Sequence, residues 1–182
     1  MGSVLVIGGG AAGLAAAIAA AECGDTVTVA EKMDRVGKKI LATGNGRCNL
    51  MNTGAPRYPG NAAFAADVLS HCGAEAQKAF WEHLGLRLRQ EEAGRVYPVS
   101  SQASSVLDAL RLQLTALHVR VVTGVSITAL HRENDGWTAL SADGQQFRAN
   151  RVIISGGGCA QPKIGSGGRA PRSAATPAPC VC

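Results

Sequence analysis

Ser3-Val4-Leu5-Val6-Ile7-Gly8-Gly9-Gly10-Ala11-Ala12-Gly13-Leu14 is the stretch whose reading decides the fold. Ser3 to Ile7 is a short apolar run that stops at glycine, as a buried strand does at a turn. Ala11 to Glu22 is alanine-rich and strongly helix-forming, and Gly24 is placed to end it. Thr26 to Ala30 alternates β-branched residues and gives a second buried strand. Strand, glycine turn, helix and strand follow one another within residues 3–31, the length of one βαβ unit, and the helical crossover makes the two strands parallel.

In that setting the spacing Gly8-x-Gly10-x-x-Gly13 has a mechanical meaning. The first glycine permits a tight turn, the second lets backbone approach a pyrophosphate, and the third lets helix and strand pack closely. Ala11 and Ala12 open the helix, whose N-terminus carries about half a positive charge toward the phosphates. Glu31 ends the second strand at the distance where an acidic residue accepts hydrogen bonds from a ribose hydroxyl. Glycines also mark ordinary turns, and a strand-end glutamate can simply be solvated; the strand–turn–helix context favours the nucleotide reading of both. An acidic residue there repels a 2′-phosphate, which disfavours NADP. NAD and FAD both remain.

Outward from this unit, residues 32–60 are polar, glycine-punctuated and weakly periodic, which is long for a plain connection and reads as a ligand-contacting segment. Helices are expected over 62–71 and 74–84, short strands over 86–90 and 95–98, and a firmer helix from a cap at Ser100 or Ser101 through Leu117. Strands follow at 119–123, 125–131, 137–141 and 146–148, the last three as a meander with turns at Asn134-Asp135-Gly136 and Asp143-Gly144. A final strand, 151–155, runs into Gly156-Gly157-Gly158. After Ser166 the chain turns abruptly to Gly, Pro, Ala, Arg and Ser, without periodicity, and is expected to be disordered.

The bulk numbers narrow the class. With 182 residues, 46% hydrophobic and 17% charged, one folded α/β domain is expected. The net charge of +5 is spread along the chain with only 4% aromatics, so no nucleic-acid footprint emerges, and a phosphate-bearing small ligand accounts for it as well. Six irregularly spaced cysteines form neither a CxxC pair nor a zinc pattern, which fits a reduced cytoplasmic compartment. The apolar opening lacks the preceding Lys or Arg of a signal peptide and is interrupted by three glycines, so no membrane partner is expected. The histidines share no motif, and no metal site or catalytic acid or base is assigned. Cys48 reads as a small packing residue more readily than as a redox thiol, having no second cysteine nearby to resolve it.

The segment Arg35-Val36-Gly37-Lys38-Lys39-Ile40-Leu41-Ala42-Thr43-Gly44-Asn45-Gly46-Arg47-Cys48-Asn49, with the dinucleotide turn and the later Gly94-Arg95-Val96-Tyr97-Pro98-Val99-Ser100, resembles the YhiN/BaiN-type bacterial NAD(P)/FAD-dependent oxidoreductases, also described as aminoacetone-oxidase-like flavoproteins. The resemblance covers roughly residues 3–166. It implies a Rossmann-like FAD-binding domain in which FAD lies extended, with its pyrophosphate over Gly8 to Gly13, its ribose at Glu31 and Lys32 beside the adenosine. It also implies that Gly37, Lys38, Thr43, Asn45 and Asn49 follow the ribityl chain and ring. Arg47 stands evenly between a phosphate or flavin-carbonyl partner and a structural ion pair. Val125 matches the residue whose backbone meets adenine, though alone it reads as a core valine. Gly156 falls where the family returns beneath the cofactor, but Ser155 departs from the Ala-Thr-like pair common there.

Family members run to roughly twice this length. The expected architecture is therefore α/β, a parallel sheet with helices and a small β-meander over residues 1–166, incomplete relative to the two-dinucleotide-fold flavoproteins, followed by a tail at 167–182. A tail of that composition is expected from an out-of-frame reading of a GC-rich gene, with a natural linker as the alternative. The function expected is the FAD-binding portion of an oxidoreductase that passes hydride through flavin N5, with NAD(P)H or an organic substrate as partner in the longer form. An NAD-binding Rossmann dehydrogenase and a non-catalytic or non-functional fragment are the competing readings. Substrate and oligomeric state are left open.

Overall fold

The computed structural model describes residues 1–54, 58 and 60–158, and the backbone of 172–173. Two compact units emerge, one from residues 1–39 and 112–182, the other from 40–111.

The first unit is built on β1 (Ser3–Ile7), α1 (Ala11–Glu22) and β2 (Thr26–Glu31). β2 ends at Glu31, where the sequence places the end of the second strand. The C-terminus of α1 closes as the sequence implies: Gly24 takes φ +86°, and its amide and that of Asp25 return to the carbonyls of Ala21 and Ala20. The parallel sheet is completed by two strands from much later in the chain, β6 (Arg120–Thr123) beside β2 and β10 (Arg151–Ile154) beside β1. Its order is β10-β1-β2-β6. β1 lies between β10 and β2 and is buried from Val4 to Ile7, the continuous apolar run expected of a parallel strand covered on both faces.

Alternation along β1 sorts the two faces. Leu5 and Ile7 join Ala30, Val125, Leu130, Ala139 and Ala149 in one buried cluster. That cluster is closed by the antiparallel meander β7 (Ile127–Glu133), β8 (Gly136–Ser141) and β9 (Gln146–Ala149). Val4 and Val6 take the opposite face, and α1 packs on the sheet with Leu14, Ala17 and Ile18 fully buried. Burial of side chains the size of Leu14 and Ile18 stabilises by about 1.5–3 kcal/mol each. The result is a Rossmann-like α/β fold with a parallel sheet, a helical layer and a β-meander, as the sequence implies.

Most boundaries fall within a residue or two of expectation, and the meander and the tail show the informative differences. Val125 precedes β7 rather than opening it, because its amide donates to the Glu31 carbonyl at the end of β2, 2.9 Å away, instead of joining the meander. β7 correspondingly extends to Glu133, and a register irregularity lies between Ile127 and Ala129. Within the tail, Arg172–Ser173 forms β11, parallel to Ala129–Leu130 of β7. The rest of 159–182 lies outside the described residues, as therefore does most of the expected disordered segment.

The second unit holds a three-stranded antiparallel sheet, β3 (Met51–Asn52), β5 (Arg95–Pro98) and β4 (Leu88–Gln90), in the order β3-β5-β4. α2 (Lys38–Ala42) and the 3₁₀ turn Thr43–Gly46 occupy the polar segment that showed no period; both are too short to display one. α3 (Ala62–His71) and α4 (Ala74–His83) match expectation. α5 (Ala103–Ala116) begins later than a Ser100 or Ser101 cap would place it. Ser101 sits at φ +55°, and Ser100 accepts from the Gln102 amide in a turn before the helix.

Candidate functional site

The glycine turn joins the end of β1 to α1, and each glycine is forced by a different neighbour. At Gly8, φ is +110°, and a Cβ would stand 2.5 Å from the Ser155 carbonyl oxygen just beyond β10. A Cβ on Gly13 would overlap the Gly8 carbonyl oxygen and crowd Ser155 Oγ, so helix and strand could not close. Gly9, which the spacing motif leaves unspecified, is as constrained: its Cβ would meet Val36 Cγ1 at 2.5 Å.

Gly10 is different. It is the N-cap residue of α1 in extended backbone, makes no side-chain cap, and a Cβ there would meet nothing within 4 Å. No internal packing requires glycine at this position, and a side chain here would stand in open space. Ala11 and Ala12 are exposed and the first turn carries no acidic residue. First-turn amides have no intrahelical acceptors, so this N-terminus faces outward with its partial positive charge unopposed by a side chain. These features fit a diphosphate.

Glu31, buried at the end of β2, does more than the sequence implied. One carboxylate oxygen accepts from the Gly9 amide at 2.6 Å and the other from Met33 at 2.8 Å. A carboxylate offers about four acceptor sites, so capacity for a ribose hydroxyl remains. Lys32 beside it is exposed, and Lys38, the first residue of α2, pairs with Asp34 in the preceding loop at 2.5 Å, which holds the Asp34 carboxyl below its ordinary range. Gly37 is buried and its amide donates to Gly9 O at 2.8 Å, making it a support of the turn. Val125 is buried in the core cluster with its amide already committed, which leaves its carbonyl side for any adenine contact. Gly156 is exposed beyond β10.

The remaining predicted residues belong to the second unit. Gly44 and Asn45 both adopt left-handed backbone near φ +54°, and Gly46 and Cys48 also have positive φ. Non-glycine residues rarely adopt this conformation, so a loop dense in it is held by its surroundings. Thr43 Oγ1 donates to Ile40 O at 2.6 Å, while Thr43 and Asn45 are otherwise exposed. The Asn49 side-chain amide, turned so that its nitrogen faces carbonyls, donates to Met51 O and Val96 O and ties the loop to β3 and β5.

Arg47, left even between two roles by the sequence, makes the structural pair: its guanidinium meets Glu91 Oε1 at 2.5 Å and lies 4.1 Å from the centre of the Tyr97 ring. Arg89 reaches the same carboxylate oxygen at 2.8 Å. The hydrogen bond from Arg47 is the main reason the Glu91 carboxyl is held below its ordinary range. Cys48 is buried, and that burial pushes its thiol pKa up, away from nucleophilic reactivity. Among the described residues no helix is long and apolar enough to cross a membrane.

A model of the HI0933-like protein Rossmann domain matches residues 2–178. The chain belongs to that family. Among curated relatives, a 3-dehydro-bile acid delta(4,6)-reductase of Clostridium scindens is 44% identical over 92% of this chain. A ribosomal RNA dihydrouridine synthase of Haemophilus influenzae is 25% identical over 89% of it. The chain spans 42% of the length of each. A 3-ketosteroid-delta4-(5alpha)-dehydrogenase from Rhodococcus jostii RHA1 superposes with a TM-score of 0.64 at 18% identity, over 87% of this chain and 46% of its own. THI4 from Thermovibrio ammonificans gives 0.58 at 15%, over 87% and 58%. At such identities the likeness is one of fold. The chain is thus a Rossmann domain of the HI0933-like family, and the family resemblance read from the sequence holds.

Sequence reasoning assigned no role to Gly9 or Val36 and marked Ser155 only as a departure from the family's pattern. Gly9 could have been suspected from the uninterrupted Gly8-Gly9-Gly10. Nothing local marks Ser155 as a neighbour of Gly8, since β10 reaches β1 only in the folded sheet.

Proposed function

We propose that the chain binds FAD, with the pyrophosphate against the amides that open α1, and that it is the FAD-binding part of a flavin-dependent oxidoreductase. The observation that carries this is Gly10: a glycine no internal contact demands, at an uncapped and exposed helix start, one residue after an amide fixed by the nucleotide-side glutamate. Gly8, Gly9 and Gly13 would shape the cradle, Ala11 and Ala12 would present their amides to the phosphates, and Glu31 would accept from the ribose while holding Gly9. Lys32 would flank the adenosine, and Val125 would offer its carbonyl to adenine.

Gly37 and Lys38 act through the turn's support and charge. Thr43, Asn45 and Asn49, with Gly156, are assigned to the flavin side by resemblance. Arg47 is assigned to shaping its own loop. Bound FAD would supply hydride acceptance and donation at flavin N5. The longer protein's partner would be NAD(P)H or an organic substrate. The Clostridium scindens reductase, by its name, acts on a 3-dehydro-bile acid, which makes a hydrophobic enone-type acceptor the first class to assay.

The test is the visible absorbance of the purified chain, with cofactor released by heat and identified. Stoichiometric FAD supports the assignment. A cooperatively folded chain that neither retains FAD nor binds it when titrated would refute it.

A further inference from the structure

The Gly8–Gly9 peptide is held from both sides. Its carbonyl, Gly8 O, accepts from Ser155 Oγ at 2.9 Å. Its amide, Gly9 N–H, donates to Glu31 Oε2 at 2.6 Å. In a trans peptide these two groups point in opposite directions, so a partner on each side fixes the rotation of the whole plane. The next plane is held too, with Gly9 O accepting from Gly37 N at 2.8 Å. That bond directs the Gly10 amide the other way, away from Gly37.

Ser155 is placed for this by β10. Its own amide donates to Ile7 O at 2.8 Å, continuing the β1–β10 ladder one residue past the last paired position. Its hydroxyl proton is shared between Ile7 O, at 3.0 Å, and Gly8 O. Ile7 O thus keeps a donor if the hydroxyl is lost, whereas the hydroxyl is the donor seen on Gly8 O. The ends of three adjacent strands converge on one peptide: β1 supplies it, β2 grips its amide through Glu31, and β10 grips its carbonyl through Ser155.

We propose that Ser155 is a positioning residue for the dinucleotide turn: with Glu31 it clamps the Gly8–Gly9 peptide plane and so sets the direction of the amides that meet the pyrophosphate. This rests on the FAD reading above. A clamp of this kind lowers the ordering cost of binding, because the turn is already in its bound orientation. It calls for a hydroxyl rather than any particular bulk.

The test compares the full chain with Ser155→Ala and Ser155→Thr, measuring FAD affinity by flavin fluorescence quenching, apo melting temperature, and amide exchange at Gly9 without cofactor. Loss of one neutral hydrogen bond predicts FAD binding weakened roughly threefold to tenfold in Ser155→Ala. Faster exchange at Gly9 should accompany it, with both restored in Ser155→Thr. Unchanged affinity in Ser155→Ala, or a lowered melting temperature with no change in affinity, would overturn the proposal. So would a Thr variant as weak as Ala. If the wild-type chain binds no FAD, the cofactor assignment itself fails, and the exchange at Gly9 still decides whether the clamp exists.

Discussion

Replacing Gly10 with alanine separates a glycine kept for folding from one kept for a ligand. In the chain by itself the new methyl meets nothing within 4 Å, and the backbone at φ −82° and ψ −175° is open to any L-residue. Two small terms oppose each other. Alanine is a poorer N-cap than glycine, and alanine also restricts the unfolded chain; each is worth about 1 kcal/mol or less. The apo melting temperature should therefore move by no more than about 3 °C. With a diphosphate seated on the helix start, the same methyl occupies the approach path, and at least one charge-assisted hydrogen bond is lost. Such a bond is worth about 1.5–3 kcal/mol, so FAD affinity should fall roughly 10- to 150-fold. Gly13→Ala is the contrast, because its methyl overlaps the Gly8 carbonyl and must destabilise the apo chain as well. Fluorescence titration with FAD and thermal melting of both variants read out the difference. A Gly10→Ala chain that binds FAD like wild type would refute the placement of the pyrophosphate.

Two further predictions turn on Glu91 and on Cys48. Because pairing with Arg47 depresses the Glu91 carboxyl below its ordinary value of 4.5, the pair's stabilisation is present above that value and lost as pH falls through the lower folded value. Melting temperature should consequently drop more steeply below about pH 4.5 in wild type than in Glu91→Gln, and parallel curves would count against the pair. Asp34 and Asp143, also depressed by their hydrogen-bond partners, contribute equally to both proteins and cancel in the comparison. In the native chain, exposed Cys23 and Cys72 should react with a thiol reagent at neutral pH well before Cys48, whose burial raises its pKa. Mass mapping of early adducts checks this, and early labelling at Cys48 would contradict the buried placement.

The sequence alone determined whatever depends on neighbours along the chain. The first βαβ unit, the glycine spacing and the helix stop at Gly24 are legible because alternation, helical period and turn chemistry act over a few residues. The Arg35–Asn49 run identified the family for a similar reason: its identity is written in consecutive residues. α2 and the 3₁₀ turn at Thr43–Gly46 escaped because five and four residues are too few to carry a period.

Tertiary structure decided what depends on residues that meet only after folding. β6 and β10 join β2 and β1 from about 90 and 150 positions away, so neither the sheet order nor the convergence of Glu31 and Ser155 on the Gly8–Gly9 peptide has a local signal. The same holds for Arg47: that Glu91 and Tyr97 lie within its reach is visible only in the folded unit, where β5 pairs with β3 and β4. Gly10 shows the division within one residue. Its spacing was readable from the sequence, but that it faces open space while Gly8, Gly9 and Gly13 face backbone or side chains is a property of the packed fold.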